Sequence, residues 1–195
     1  MYKIRVKIEG LAPIMFHKFP MPDPDTGKLP PSNKKGKGDR QAIIKGMMHM
    51  DKKGVFMPAD NFRMILIGNK HRKGAASIYG NEIEKRKGPE YESKCEGYVW
   101  AISLDGSNKI YIEPHKDTWD ETDIRSFITS TGGRDYTERP IINPPWSFEF
   151  YLHVTDEKFE ASVIKELYEL GGLRCGLGAY GPTFGRYEVT VWEVE

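Results

Sequence analysis

The chain opens on a strict alternation. Ile4, Val6 and Ile8 take one side of the stretch Tyr2 to Glu9, and Lys3, Arg5, Lys7 and Glu9 take the other. That is the period of a half-buried strand. The same period returns at Trp146, Phe148, Phe150, Leu152 and Val154, with Ser147, Glu149, Tyr151 and His153 between them. Gly54 to Pro58 reads as a short strand that passes into a helix, since proline suits the first helical turn. Phe62, Ile65, Leu66 and Asn69 then recur at helical spacing, and His71, Arg72 and Lys73 place positive charge where the helix dipole favours it, a structural reason that competes evenly with a nucleic-acid one. A second helix carries the stripe Phe159, Val163, Ile164, Leu167 and Leu170, with Thr155 or Asp156 as its cap. Tyr187 to Val194 is the closing strand. Between these elements, Tyr98 to Leu104 and Lys109 to Glu113 flank Asp105-Gly106 and read as a hairpin. Ile124 to Thr131 reads as a further strand.

This order predicts an α+β chain with a ferredoxin-like (RRM-like) βαββαβ core, an antiparallel sheet with helices on one face and the other face open. The whole of 1–195 is then one domain. Two stretches fall outside the core pattern. Residues 20–53 form a basic, Pro-rich insertion after the first strand, a surface loop through about residue 40, with Gln41 to Met50 either a short helix or more of the loop. Residues 74–113 form a second insertion, polar at first and then carrying the hairpin.

Charge sharpens the picture. The chain has a net charge of +1, but residues 28–94 hold sixteen Lys or Arg against seven Asp or Glu, a surplus of nine, and the remainder is −8. A basic segment on a neutral protein is a footprint for a polyanion, and it is also the composition of a solvated loop. The first strand adds a basic open face. Cys95 and Cys175 form no Cys-x-x-Cys pair, which argues against zinc and a disulfide framework and suits a reducing compartment, the cytoplasm. No apolar run reaches the roughly 18 residues of a membrane span, and the alternating start lacks a signal-peptide core.

The most irregular stretch comes late. Gly171, Gly172, Gly176, Gly178, Gly181 and Gly185 fall within fifteen positions, with Arg174 and Arg186 among them. Glycines at this density break helix and strand, free backbone N–H groups and allow close approach. With two guanidinium groups nearby, such a loop suits phosphate; its plain alternative is a long turn between helix and strand.

Three stretches carry a resemblance to a family: Trp146-Ser-Phe-Glu-Phe-Tyr-Leu-His-Val154, a helix ending Leu170-Gly-Gly, and Gly176-Leu-Gly-Ala-Tyr-Gly-Pro-Thr-Phe-Gly-Arg-Tyr187. Together they resemble the second half of the RAMP superfamily, the ferredoxin-like RNA-binding subunits and processing nucleases of CRISPR antiviral defence. Val55-Phe-Met-Pro-Ala-Asp-Asn-Phe-Arg-Met-Ile-Leu66 is similar to that family's first helix. An insertion after the first strand and a hairpin in the middle are similar to the backbone subunits that line a guide RNA. Uncharacterised phage and mobile-element proteins have a similar ending. The resemblance covers roughly half the chain. It implies a single-stranded nucleic-acid partner, RNA before DNA, and assembly with other subunits or with itself.

The residues expected to touch that partner are Lys3, Arg5 and Lys7 on the first strand, Lys34, Lys35, Lys37 and Arg40 in the insertion, and Arg63 on the first helix. Arg174, Gly176, Gly178, Gly181, Gly185 and Arg186 join them from the loop. Tyr151, beside His153 on a polar strand face, is the best stacking candidate among Tyr98, Trp100, Tyr111, Tyr136 and itself; its plain role, as theirs, is packing. The enzymatic alternative is a metal-independent endoribonuclease. The family often places an early histidine facing the glycine loop, which here is His17, with Lys18 beside it to stabilise a phosphorane. A histidine packed at the end of the first strand is the simpler reading. His49, His71, His115 and His153 stand singly, without metal-ligand spacing, and Asp23 and Asp25 read as turn residues. No Walker, Rossmann or HExxH pattern occurs, so no metal or cofactor is expected. The reading favoured is a non-enzymatic binding protein; a third possibility is a phage or mobile-element module that binds single-stranded DNA or another protein.

Overall fold

A computed structural model describes residues 1–18, 27, 39–69, 72–128 and 132–195; Lys34, Lys35 and Lys37 lie outside the described residues. In chain order the elements are β1 (Tyr2–Gly10), β2 (Ile14–Met15), α1 (Arg40–Gly46), β3 (Met50–Asp51), β4 (Gly54–Pro58) and α2 (Ala59–Ile67). Next come β5 (Gly68–Asn69), β6 (Arg72–Lys73), α3 (Ala75–Ile83), α4 (Gly88–Tyr98), β7 (Val99–Ser103) and β8 (Lys109–Tyr111). The chain continues through β9 (Glu121–Ile128), β10 (Arg134–Ile142), β11 (Ser147–Val154), α5 (Ala161–Arg174) and β12 (Tyr187–Val194).

The alternation of β1 makes it the centre of the largest sheet. The strand order is β12-β1-β11-β7, and every neighbouring pair is antiparallel. Ile4, Val6 and Ile8 are fully buried on one face, opposite Leu152, Phe150 and Phe148 of β11. One slip of register would turn this apolar set to solvent, so the pattern pins the pairing. The helices α2 and α5 cover the buried face. Phe62 of α2 meets Phe148 and Phe150 at ring separations of 5.3 and 4.4 Å. Tyr168 of α5 packs near Phe150, Tyr187 and Trp192 and donates its buried hydroxyl to the Phe62 carbonyl at 2.7 Å. A buried phenol needs such a partner. Mixed α and β structure with antiparallel sheets is therefore observed, as expected.

Four details differ from the sequence reading. Residues 74–98 are two helices, not a polar insertion; α3 packs on α4, α2 and α5, with Ala75, Ala76 and Cys95 buried. The 98–113 hairpin keeps its turn, in which Gly106 N–H donates to the Ser103 carbonyl at 3.1 Å. Its arms part company: β7 pairs with β11, and β8 pairs with β4. The true hairpin is β9–β10, which joins β2 in a separate three-stranded sheet. Finally, α5 begins at Ala161, after a turn in which Asp156 accepts from the Lys158 N–H, so Thr155 and Asp156 do not cap it. Its buried stripe is Ile164, Leu167, Tyr168, Gly171 and Gly172, a phase that sets Gly171 against Ile65 of α2 and Gly172 against Tyr187 of β12. Of the 20–53 insertion, the described part holds α1 and β3. Among the described residues no helix is long and apolar enough to cross a membrane.

Candidate functional site

The glycine loop is sewn onto the chain between β1 and β2. Leu177 N–H donates to the Gly185 carbonyl at 2.8 Å, Ala179 N–H to Met15 at 2.9 Å and Gly185 N–H to Pro13 at 2.8 Å. In return the Arg186 carbonyl accepts from Leu11 and Ala12 at 2.8 and 3.2 Å. Gly176, Gly178 and Gly185 have positive φ. A Cβ at Gly178 would stand 2.6 Å from the Met15 carbonyl oxygen; at Gly176 it would press on Phe184, at Gly185 on Leu177, and at Gly181 on Cys175 and the Arg72 guanidinium. The glycines are thus accounted for by backbone packed on backbone. The N–H groups of Leu177, Ala179 and Gly185 are spent inside the protein, so the density of glycine does not translate into a row of free donors.

What the loop builds is a roof. Beneath it lies a cleft of about 510 Å³. Its floor is apolar and buried, with Met15, Phe16, Met57 and Ile65, and Leu177 adds a buried apolar side chain from the loop. Towards the opening stand His17, Lys18, Arg72 and Lys73. Among the described residues lining it, none is Asp or Glu. The Arg72 guanidinium donates to the carbonyls of Cys175 and Gly176, at the C-terminal end of α5 where carbonyl dipoles favour a cation. Arg72 was expected to close α2; instead it ties β6 to the loop from below.

Two histidines line the cleft, and in both the charged form is disfavoured. Burial first, and then Lys18, push His49 down to about 4. Desolvation, and then the Arg139 guanidinium, lower His17. The Arg139 Nε–H donates to His17 Nδ1 at 3.0 Å, which leaves the ring proton on Nε2 and makes His17 a donor towards the cleft. Arg139 itself is only 4% exposed. Asp123 is its register partner across the hairpin, but that carboxylate is taken by Arg125 at 2.6 and 3.3 Å. Arg139 therefore has no ion pair among the described residues. Its guanidinium lies over the Tyr180 ring at 4.9 Å, and Arg125 approaches the same ring at 5.4 Å. Tyr180 sits at φ 55, an unusual conformation for a bulky residue, and the cation–π contacts offset part of its cost.

The other expected residues lie elsewhere. On the open face of the large sheet, Lys3 pairs with Glu195 at 2.6 Å and lies over the Tyr151 ring at 4.5 Å. Arg5 sits between Glu149 and Glu193 at 2.6 and 3.1 Å, and Lys7 pairs with Glu9 at 2.8 Å. Trp100 stacks on His153 there. Arg40 makes a two-pronged bond to Glu138 at 2.7 and 2.6 Å. Arg63 donates to the carbonyls of Glu96 and Val99 at the end of α4. Arg174 pairs with Glu82 at 2.9 Å and covers Tyr79. Arg186 is exposed. Of the expected set, the cleft gathers His17, Gly176 and Gly178.

Arg139 and Tyr180 escaped the sequence reading, which took His49 as an isolated histidine and Arg72 as one of the bases after α2. One signal was present for Arg139: it shares a strand side with Ile141, so a guanidinium stands where an apolar residue belongs. No group of three His, Cys, Asp or Glu among the described residues is placed to hold a metal. No protein-family model matches the chain, and no curated protein shows a significant match to it.

Proposed function

We propose that this is a single-stranded nucleic-acid-binding protein, RNA preferred, that acts in the cytoplasm without cleaving its ligand. The observation that carries the reading is the cleft under the glycine loop, which Lys18, Arg72 and Lys73 line together with no acid among the described lining residues. Cations gathered without counter-charges favour a phosphate. Arg139, buried beside His17 and without an ion pair among the described residues, adds to that field, because a desolvated guanidinium gains most from an anion close by. In its fold the protein is read as a ferredoxin-like core of RAMP type. The order β12-β1-β11-β7 with α2 and α5 on one face supports this, since it is the order a βαββαβ chain gives when each helix crosses over one strand.

The endoribonuclease alternative rests on His17, and its geometry speaks for binding instead. A general base needs a lone pair, and the Nδ1 lone pair of His17 is occupied by Arg139 while Nε2 carries the proton. Fluorescence anisotropy with labelled 12-nucleotide RNA and DNA, followed by gel analysis of the same samples, tests both readings. The expected result is intact strands bound by wild type, RNA more tightly, with at least about tenfold weaker binding by Lys18→Glu/Lys73→Glu. Binding that ignores the double reversal would sink the cleft as the contact surface, and shortened strands would restore the nuclease.

A further inference from the structure

A phosphate clamp needs only the basic opening of the cleft, and the floor is left unexplained. We infer that the cleft takes one unstacked nucleotide of the bound strand, with its base on the floor and its phosphate on Lys18, Arg72 and Lys73; this rests on the nucleic-acid reading above. Three of the chain's eight methionines, Met15, Met57 and Met64, line this one cleft. Thioether side chains are flexible and polarisable and adapt to flat aromatic ligands. Met64 is 38% exposed there, a large apolar group offered to solvent.

Asn61 stands three residues before Met64 on α2, hence on the same helix face. Its amide Nδ2–H donates to the Met57 thioether at 2.7 Å, a weak acceptor. No donor among the described residues reaches its Oδ1. An under-used carboxamide beside an apolar floor is what the edge of a base requires, and asparagine matches adenine at two atoms. The volume of about 510 Å³ lies within the roughly 300–1,000 Å³ range of small-ligand clefts. The neutral imidazoles of His17 and His49 add donors without placing charge against the base.

The experiment titrates 5′-AMP, adenosine and inorganic phosphate separately into the full chain, by calorimetry, beside the labelled 12-mer. AMP is expected to bind at least about tenfold more tightly than either fragment. Asn61→Ala and Met64→Glu, both at positions outside the buried core, should each weaken AMP about fivefold or more and leave the melting temperature in place. If the strand binds while AMP does no better than phosphate, the nucleotide pocket is overturned and the clamp stands. If neither binds, both readings fall. AMP bound by a protein that ignores the 12-mer would overturn the assignment to a strand.

Discussion

Two surfaces of this protein are rich in bases, and only one of them is basic. On the open face of the large sheet, Lys3, Arg5 and Lys7 each lie against a carboxylate, with Glu9, Glu149, Glu193 and Glu195 as partners. Under the glycine loop, Lys18, Arg72 and Lys73 meet no acid among the described lining residues. A strand's own sequence states how many cations it contributes, but its neighbours decide how much charge the face presents. Exposed pairs of this kind add little to stability, yet they cancel the long-range field that would gather a polyanion. Among the described residues no carboxylate of the lining answers the cleft's cations, and Arg72 is met by carbonyl dipoles instead.

The contrast can be broken most severely through the roof. Gly185→Ala and Gly178→Ala place a methyl group into backbone and demand positive φ of alanine, so each should cost about 2–4 kcal/mol in urea unfolding. Binding should fall with folding. A variant that melts like wild type but loses the ligand would mean that the glycines make room for a strand after all.

A smaller effect separates the two surfaces directly. Lys3→Ala/Arg5→Ala should leave strand affinity within about twofold, against the loss expected for the cleft reversal. The slope of log affinity on log salt should fall by about 0.7 for each of Lys18→Ala and Lys73→Ala and stay put for the sheet-face pair. Equal losses at both surfaces would erase the distinction.

The smallest effect concerns acid. His49 titrates lower in the folded chain than in the unfolded one, so the unfolded state binds its proton first. The stability this contributes is fully present above about 6.5 and is lost as pH falls towards about 4. Allowing for solvent screening, the loss is about 1–2 kcal/mol. His49→Gln should flatten the dependence of unfolding free energy between those limits, and a variant as acid-sensitive as wild type would remove His49 from the account.

Periodicity made β1, β11, α2 and α5 legible, because each buries one face against a single large core. It failed at 74–98 for a physical reason. There α3 and α4 approach with Gly80 close against Gly88, and glycines at the contact leave no apolar stripe to read. Asp105-Gly106 marked a turn correctly, but a turn does not choose partners, and the arms it joins found β11 and β4 instead. The site was legible only in outline. His17 and the glycine loop were linked through a resemblance, and they do share the cleft. Arg139 and Tyr180 become neighbours only when β10 takes its register, which no local pattern encodes. Arg63 and Arg174 looked available because their partners, the end of α4 and Glu82, are brought to them by the fold.

The position of β1 has a consequence for how the protein is made. Both of its neighbours in the sheet come from residues 147–194, so β1 waits with two open edges until those residues have been made. The loop that roofs the cleft is bonded to residues 11–15, which ties its closure to the same late event. A chain halted short of Gly185 therefore has neither a complete sheet nor a cleft. Contacts this distant in sequence make folding slow, and an alternating strand with unpaired edges is a target for other chains and for chaperones in the meantime. Sheet and cleft are completed together, as β12 docks on β1.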